Sequence, residues 1–179
     1  MVSPIQVPIM YLRAKQIFSK EKGIMRITGK PGDVAKTLAE KGYKLLHIID
    51  LDAGTGTSPN FDVYNSLTHF INIQVESKKD VIDQEFLKKL VDVKARVIIK
   101  LPASFDLAKL SLSERLLVGK IDSNYDGDVA GVYDLIIENA DDKTIEKFVK
   151  TKKRLIVSQD NYSKLKLKNQ KLVWAVIES

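Results

Sequence analysis

Residues 45–60 read LLHIIDLDAGTGTSPN. Leu45, Leu46, Ile48, Ile49 and Leu51 form the nearly continuous apolar run of a strand covered on both faces, as in a parallel sheet buried between helices. Asp50 and Asp52 fall at its C-terminal end, where α/β sheets and barrels place their ligands. Alternate side chains of a strand face opposite ways, so the two aspartates share one face and His47 takes the other; no metal site is expected from the three. The loop Gly54–Pro59 lacks the third glycine of G-x-G-x-x-G and a Lys-Ser/Thr ending, so it supports neither dinucleotide nor P-loop binding, and no cofactor is expected. Asn60 is placed to cap a short helix, Phe61–Thr68.

On either side of this stretch, seven further segments read as strands: Gln6–Leu12, Phe70–Val75, Arg96–Leu101, Leu116–Ile121, Leu135–Glu138, Arg154–Ser158 and Leu172–Ile177. Gln16–Ile27, interrupted by Lys20, Glu21, Lys22 and Gly23, reads as a small hairpin. Helical periodicity marks Pro31–Lys41, stopped by Gly42, then Asp80–Val91 and Asp142–Thr151. Strand alternating with helix predicts parallel pairing by right-handed crossovers, hence a barrel or an open doubly wound sheet. Between Ile121 and Leu135 the chain is too rich in Asp, Asn and Gly for a helix, and Asn161–Gln170 has room for about two turns.

The strand Leu45–Asp50, with the helix and Gly42 before it, resembles the second strand of the ProFAR isomerase family of histidine biosynthesis and its sister cyclases. That resemblance implies a (β/α)₈ TIM-type barrel. At 179 residues, against roughly 250 for a typical barrel, the chain is expected to be a shortened or degenerate one forming a single domain over residues 1–179. An incomplete barrel or open parallel α/β sheet is the alternative. Trimmed helices should leave part of the sheet bare, for a second copy or a partner protein to seal.

The resemblance also implies a substrate with two phosphates and an Amadori rearrangement run by two aspartates. At the first-strand aspartate this sequence has Tyr11, and a phenol titrating near ~10 is a poor base at neutral pH. Asp122 aligns with the fifth-strand aspartate, although Asp and Gly clusters are also common in turns. The family's phosphate loops use glycines, which let the backbone approach an anion. Here Glu76 and Ser77 stand after the third strand, Lys100–Leu101 after the fourth and Ser158–Gln159–Asp160 after the seventh, and Glu178–Ser179 follow the eighth. A carboxylate such as Glu76 repels phosphate at short range.

Two readings of function follow. In one, the barrel has lost the isomerase activity, a pseudoenzyme that binds a ligand or a partner protein, with Asp50 or Asp52 hydrogen-bonded to neighbouring loops as a structural survivor. In the other, it is an isomerase or lyase acting on a phosphorylated sugar or related metabolite, with Asp50 and Asp122 as catalytic acid and base. Asp52, Lys78, Lys100 and Tyr11 would then bind the ligand or its anion.

Composition bounds both readings. Twenty-nine lysines and arginines against 23 acids give a formal charge of +6, spread over lysines that read as a solvated surface. Nucleic acid is not the expected partner, although Lys147–Arg154 keeps that class open. No apolar run is long enough to span a membrane and no leader is evident, so a soluble, cytoplasmic protein is expected. The absence of cysteine excludes disulfides and thiolate chemistry. Abundant lysine and isoleucine fit a thermophile or an AT-rich genome equally.

Overall fold

The structure is a computed structural model and describes residues 3–53, 60–78 and 84–178. In chain order its elements are β1 (Ile5–Arg13), β2 (Gln16–Glu21), β3 (Ile24–Gly29), α1 (Pro31–Glu40), β4 (Leu45–Asp50), α2 (Phe61–Thr68), β5 (Asn72–Ser77) and α3 (Gln84–Asp92). There follow β6 (Arg96–Lys100), β7 (Leu117–Asp122), β8 (Asp134–Glu138), α4 (Asp142–Phe148), β9 (Arg154–Ser158), α5 (Gln159–Lys164), α6 (Leu167–Gln170) and β10 (Val173–Glu178). The strand order is β10-β9-β8-β7-β6-β5-β4-β1-β2-β3, and β10 also pairs with β1. Apart from the β2–β3 hairpin, the order returns on itself, so the fold is the (β/α)₈ TIM type and the open-sheet alternative is overturned. All eight expected strands are present, with ends moved by a residue or two. By its contacts the chain divides into two compact units, Pro8–Ile98 and Met1–Val7 with Ile99–Ser179.

In the unit Pro8–Ile98, Ala14 and Lys15 both take positive φ (48° and 63°), the left-handed pair that a two-residue hairpin turn needs. That turn lays β2 antiparallel on β1, setting Leu12 against Ile17, so the expected hairpin extends the sheet as a meander. On α1, Pro31 sits in the first turn and Val34, Ala35 and Leu38 are buried. Gly42 (φ 92°) ends it: its N–H donates to Ala39 O and that of Tyr43 to Leu38 O, satisfying two otherwise orphaned carbonyls. The ring of Phe61 on α2 meets Phe86 on α3 at 5.4 Å. The expected helix Asp80–Val91 is seen from Gln84 to Asp92; Lys79 to Asp83 and the Gly54–Pro59 loop lie outside the described residues.

The unit completed by Ile99–Ser179 carries β7 to β10 in parallel register. Asp141 caps α4, its Oδ1 accepting from the Thr144 N–H at 2.8 Å. The connections after β6 and β7 contain no α-helix, only two 3₁₀ turns, Leu107–Lys109 and Glu114–Leu116, in the first. The bare sheet expected from this trimming is not found at β7. Leu107, Val129 and Val132 from the connections are buried, as are Leu117, Val118 and Ile121 of the strand. Gly119 lets that coil press close, because a Cβ there would lie 2.9 Å from Leu101 and 3.1 Å from Val132. Among the described residues, no helix is long and apolar enough to cross a membrane.

Candidate functional site

Asp50 ends β4 with a fully buried carboxylate. Its Oδ1 accepts from the backbone N–H groups of Asp52 (2.7 Å) and Ala53 (3.0 Å). The Asn60 amide donates to both of its oxygens at 3.1 Å, and the Tyr64 hydroxyl donates to Oδ2. Asn60 also donates to Asp52 Oδ2, while its own Oδ1 accepts from the Lys15 N–H at 3.1 Å. Asp52 Oδ2 takes the Ala14 N–H at 2.6 Å. Buried carboxylates persist when such donors replace water. These bonds tie the end of β4, the first turn of α2 and the β1–β2 turn together. Contrary to expectation, Asn60 does not cap α2 with its side chain; its carbonyl accepts from the Tyr64 N–H and the amide is spent on the aspartates.

Because Tyr64 reaches Asp50 from α2, Asp50 lies on the helix-covered face of the sheet. Tyr11 is in register with Ile49, and Leu12 with Asp50, so Tyr11 and Asp50 are on opposite faces. On the face of Tyr11, β4 and β5 place His47 beside Gln74, and Ile49 beside Glu76. Arg96 Nη1 donates to Gln74 Oε1 (3.2 Å), which turns the Gln74 amide nitrogen toward His47 Nδ1 (3.0 Å). Nδ1 must then accept, leaving the proton on Nε2 to be donated to Glu76 Oε2 at 3.0 Å. His47, Gln74 and Arg96 are buried, and the Glu76 side chain is 16% exposed. A chain of donors running from Arg96 thus fixes a carboxylate at the C-terminal end of β5. Lys78 is exposed just beyond, its N–H bonded to Asp50 O at 3.1 Å.

In the second unit, Asp122 ends β7 in register with Glu138, which ends β8. Lys120 Nζ lies 3.1 Å from Glu138 Oε1. Asp122 is exposed; its Oδ1 accepts from the Asn124 N–H and Ser123 Oγ, and its Oδ2 from the Asn139 amide. The Asn124 N–H first, and Asn139 next, hold its carboxyl below the usual carboxylate range. The bond to the N–H two residues on is that of an aspartate-initiated turn, so Asp122 fits the turn reading as well as the catalytic one. Lys100 is exposed at the end of β6, and Ser158, at the position expected of a phosphate loop, instead caps α5. His69 follows α2, with Nδ1 2.6 Å from Asn65 O.

Compared with curated proteins, the chain is 39% identical over 70 residues to the ProFAR isomerase of Methanocaldococcus jannaschii, covering 38% of this chain and 30% of that one. To the same enzyme of Campylobacter concisus it is 32% identical over 132 residues, 69% of this chain and 55% of that one. The chain is a divergent relative of the ProFAR isomerases. Its matches span little more than half the length of these isomerases at most. Among solved structures, a protein of Burkholderia cenocepacia J2315 provisionally described as a lyase/mutase superposes with a TM-score of 0.54 at 12% identity, covering 98% of this chain and 76% of its own; that likeness bears on the fold alone. No family model matches.

Sequence reasoning gave Asn60 only a capping role and did not single out Tyr64 or Glu138. An Asn-x-x-x-Tyr spacing on one helix turn puts Asn60 and Tyr64 beside the preceding strand end. Glu138 follows a run of apolar residues just as Asp122 does, and the period of the strands places the two side by side.

Proposed function

We propose that this relative of the ProFAR isomerases does not carry out their isomerisation and serves as a ligand- or protein-binding barrel. The observation that carries the reading is the Glu76 carboxylate, held by His47 at the end of β5, where the resemblance calls for phosphate-cradling glycines. A fixed negative charge there opposes a phosphate dianion. The rest of the machinery agrees: Tyr11 stands for the first-strand aspartate, and both oxygens of Asp50 are committed to the scaffold. Expression in a histidine-requiring strain lacking ProFAR isomerase tests the reading. No growth without histidine is expected; growth abolished by Asp122→Asn would overturn it.

One observation favours a second reading, an isomerase or lyase on a phosphorylated sugar or related metabolite. Asp122 and Glu138 form a carboxylate pair with Lys120 beside them, and Lys100 ends the neighbouring strand as a candidate anion anchor. With its carboxyl held low, Asp122 is ionised at neutral pH and can accept a proton only as a weak base, not donate one. A thermal-shift screen with phosphorylated sugars separates the readings, since a ligand selective for the folded state stabilises it. A saturable shift lost in Asp122→Asn supports the enzyme; no shift supports the binding barrel.

A further inference from the structure

The helix-free connections after β6 and β7 enclose a half-open hollow of about 340 Å³, within the roughly 300–1,000 Å³ range of small-molecule sites. Its wall is apolar, from Leu101, Pro102 and Leu107, with the rings of Phe105 and Tyr125. Two devices shape it. Gly127 has no Cβ where one would meet the Tyr125 hydroxyl at 2.5 Å, and Gly131, at φ 79°, lets the second connection close on Leu107. The Tyr125 hydroxyl is pinned by donating to Asp128 O at 2.8 Å.

The charge of the lining runs against that of the chain. In a protein of formal charge +6, the lining holds two carboxylates, Asp106 and Asp128, and no lysine or arginine. Each is fixed by a backbone N–H, Asp106 Oδ1 by Ala108 and Asp128 Oδ1 by Ala130. Lys109 lies outside the lining, 3.4 Å from Asp106 Oδ2, and Lys147 donates to the Tyr125 carbonyl. Burial first, and then Asp128 and Asp126, push the Tyr125 phenol above its ordinary value, so a negative potential reaches the ring that forms the wall.

We propose that this hollow binds a small organic cation, an amine on a flat apolar body: the rings take the body and the carboxylate rim takes the ammonium group. The occupant follows from charge complementarity, because an anion would meet the carboxylates and a neutral molecule would leave them unused. This site is independent of the reading given under Proposed function.

The test is an amide NMR titration of the full chain with phenethylamine, with 2-phenylethanol as the neutral counterpart and phenylacetate as the anionic one. Saturable shifts in the low-millimolar range are expected at residues 105–108 and 125–130 with the amine, about fivefold weaker binding with the alcohol, and none with phenylacetate. Asp128→Asn and Asp106→Asn each keep a side-chain oxygen to accept the backbone N–H and should weaken only the amine, whereas Ala103→Trp should block amine and alcohol alike. Equal affinity for all three probes, shifts located elsewhere, or a dimer in sedimentation that Ala103→Trp dissolves would each overturn the proposal, the last in favour of a second copy as occupant.

Discussion

Asp50 and Asp122 are both the last residue of a parallel strand, and they have opposite surroundings. Asp50 is sealed among two backbone N–H groups just after its own strand and an amide and a phenol from the first turn of α2. Asp122 is exposed and takes all its bonds from its own turn and the end of the next strand. The C-terminal end of a strand is therefore an address and not a role: the partners available to the carboxylate decide whether it holds the fold or remains free for chemistry.

The largest expected break in that contrast is Asp50→Ala. It strands several buried donors at once and should cost about 3–5 kcal/mol in urea unfolding, while Asp122→Ala leaves the midpoint nearly unmoved. Equal losses would abolish the distinction. Asn60→Ala should cost about 2–3 kcal/mol, since Asp50 keeps its backbone donors while Asp52 and Lys15 lose a shared partner. Tyr64→Phe removes one donor and should cost about 1–2 kcal/mol; a neutral result would mean that the amide and backbone alone hold Asp50. The smallest effect is electrostatic. Asp122's carboxyl is held low in the folded state, so its contribution is present above the ordinary ~3.9 and lost as pH falls through the folded value. A carbon-detected NMR titration should find its midpoint below ~3.9, rising in Asn139→Ala.

The strands were legible because each is a short β-branched or leucine run bounded by polar residues, and the period of two fixes which neighbours share a face. That Asp50 could be hydrogen-bonded to neighbouring loops was legible too, but not its partners Tyr64 and Asn60, which arrive from α2. The face of Tyr11 was harder still. His47 has its partners Gln74 and Glu76 27 and 29 residues away along the chain, with Arg96 reaching it only through Gln74, all brought together by strand register. Between Ile121 and Leu135 the lack of a helix was legible, but nothing in the composition announced that Val129 and Val132 of that coil would be buried with β7.

A closed ring of strands offers no free edge, but the β2–β3 hairpin gives one back. β3 ends the strand order, and Ile24 and Ile27 on it are 59% and 62% exposed. Such an edge is a template on which further chains can stack, and Arg26 on it, Lys22 in the turn before it and Lys20 on the neighbouring β2 are the charges that stand guard. The colloidal behaviour of the whole molecule then rests on a few hairpin residues: concentrated stocks should cloud first where salt screens those three cations, and a lysine at Ile24 or Ile27 should clear them while leaving the ring of strands intact.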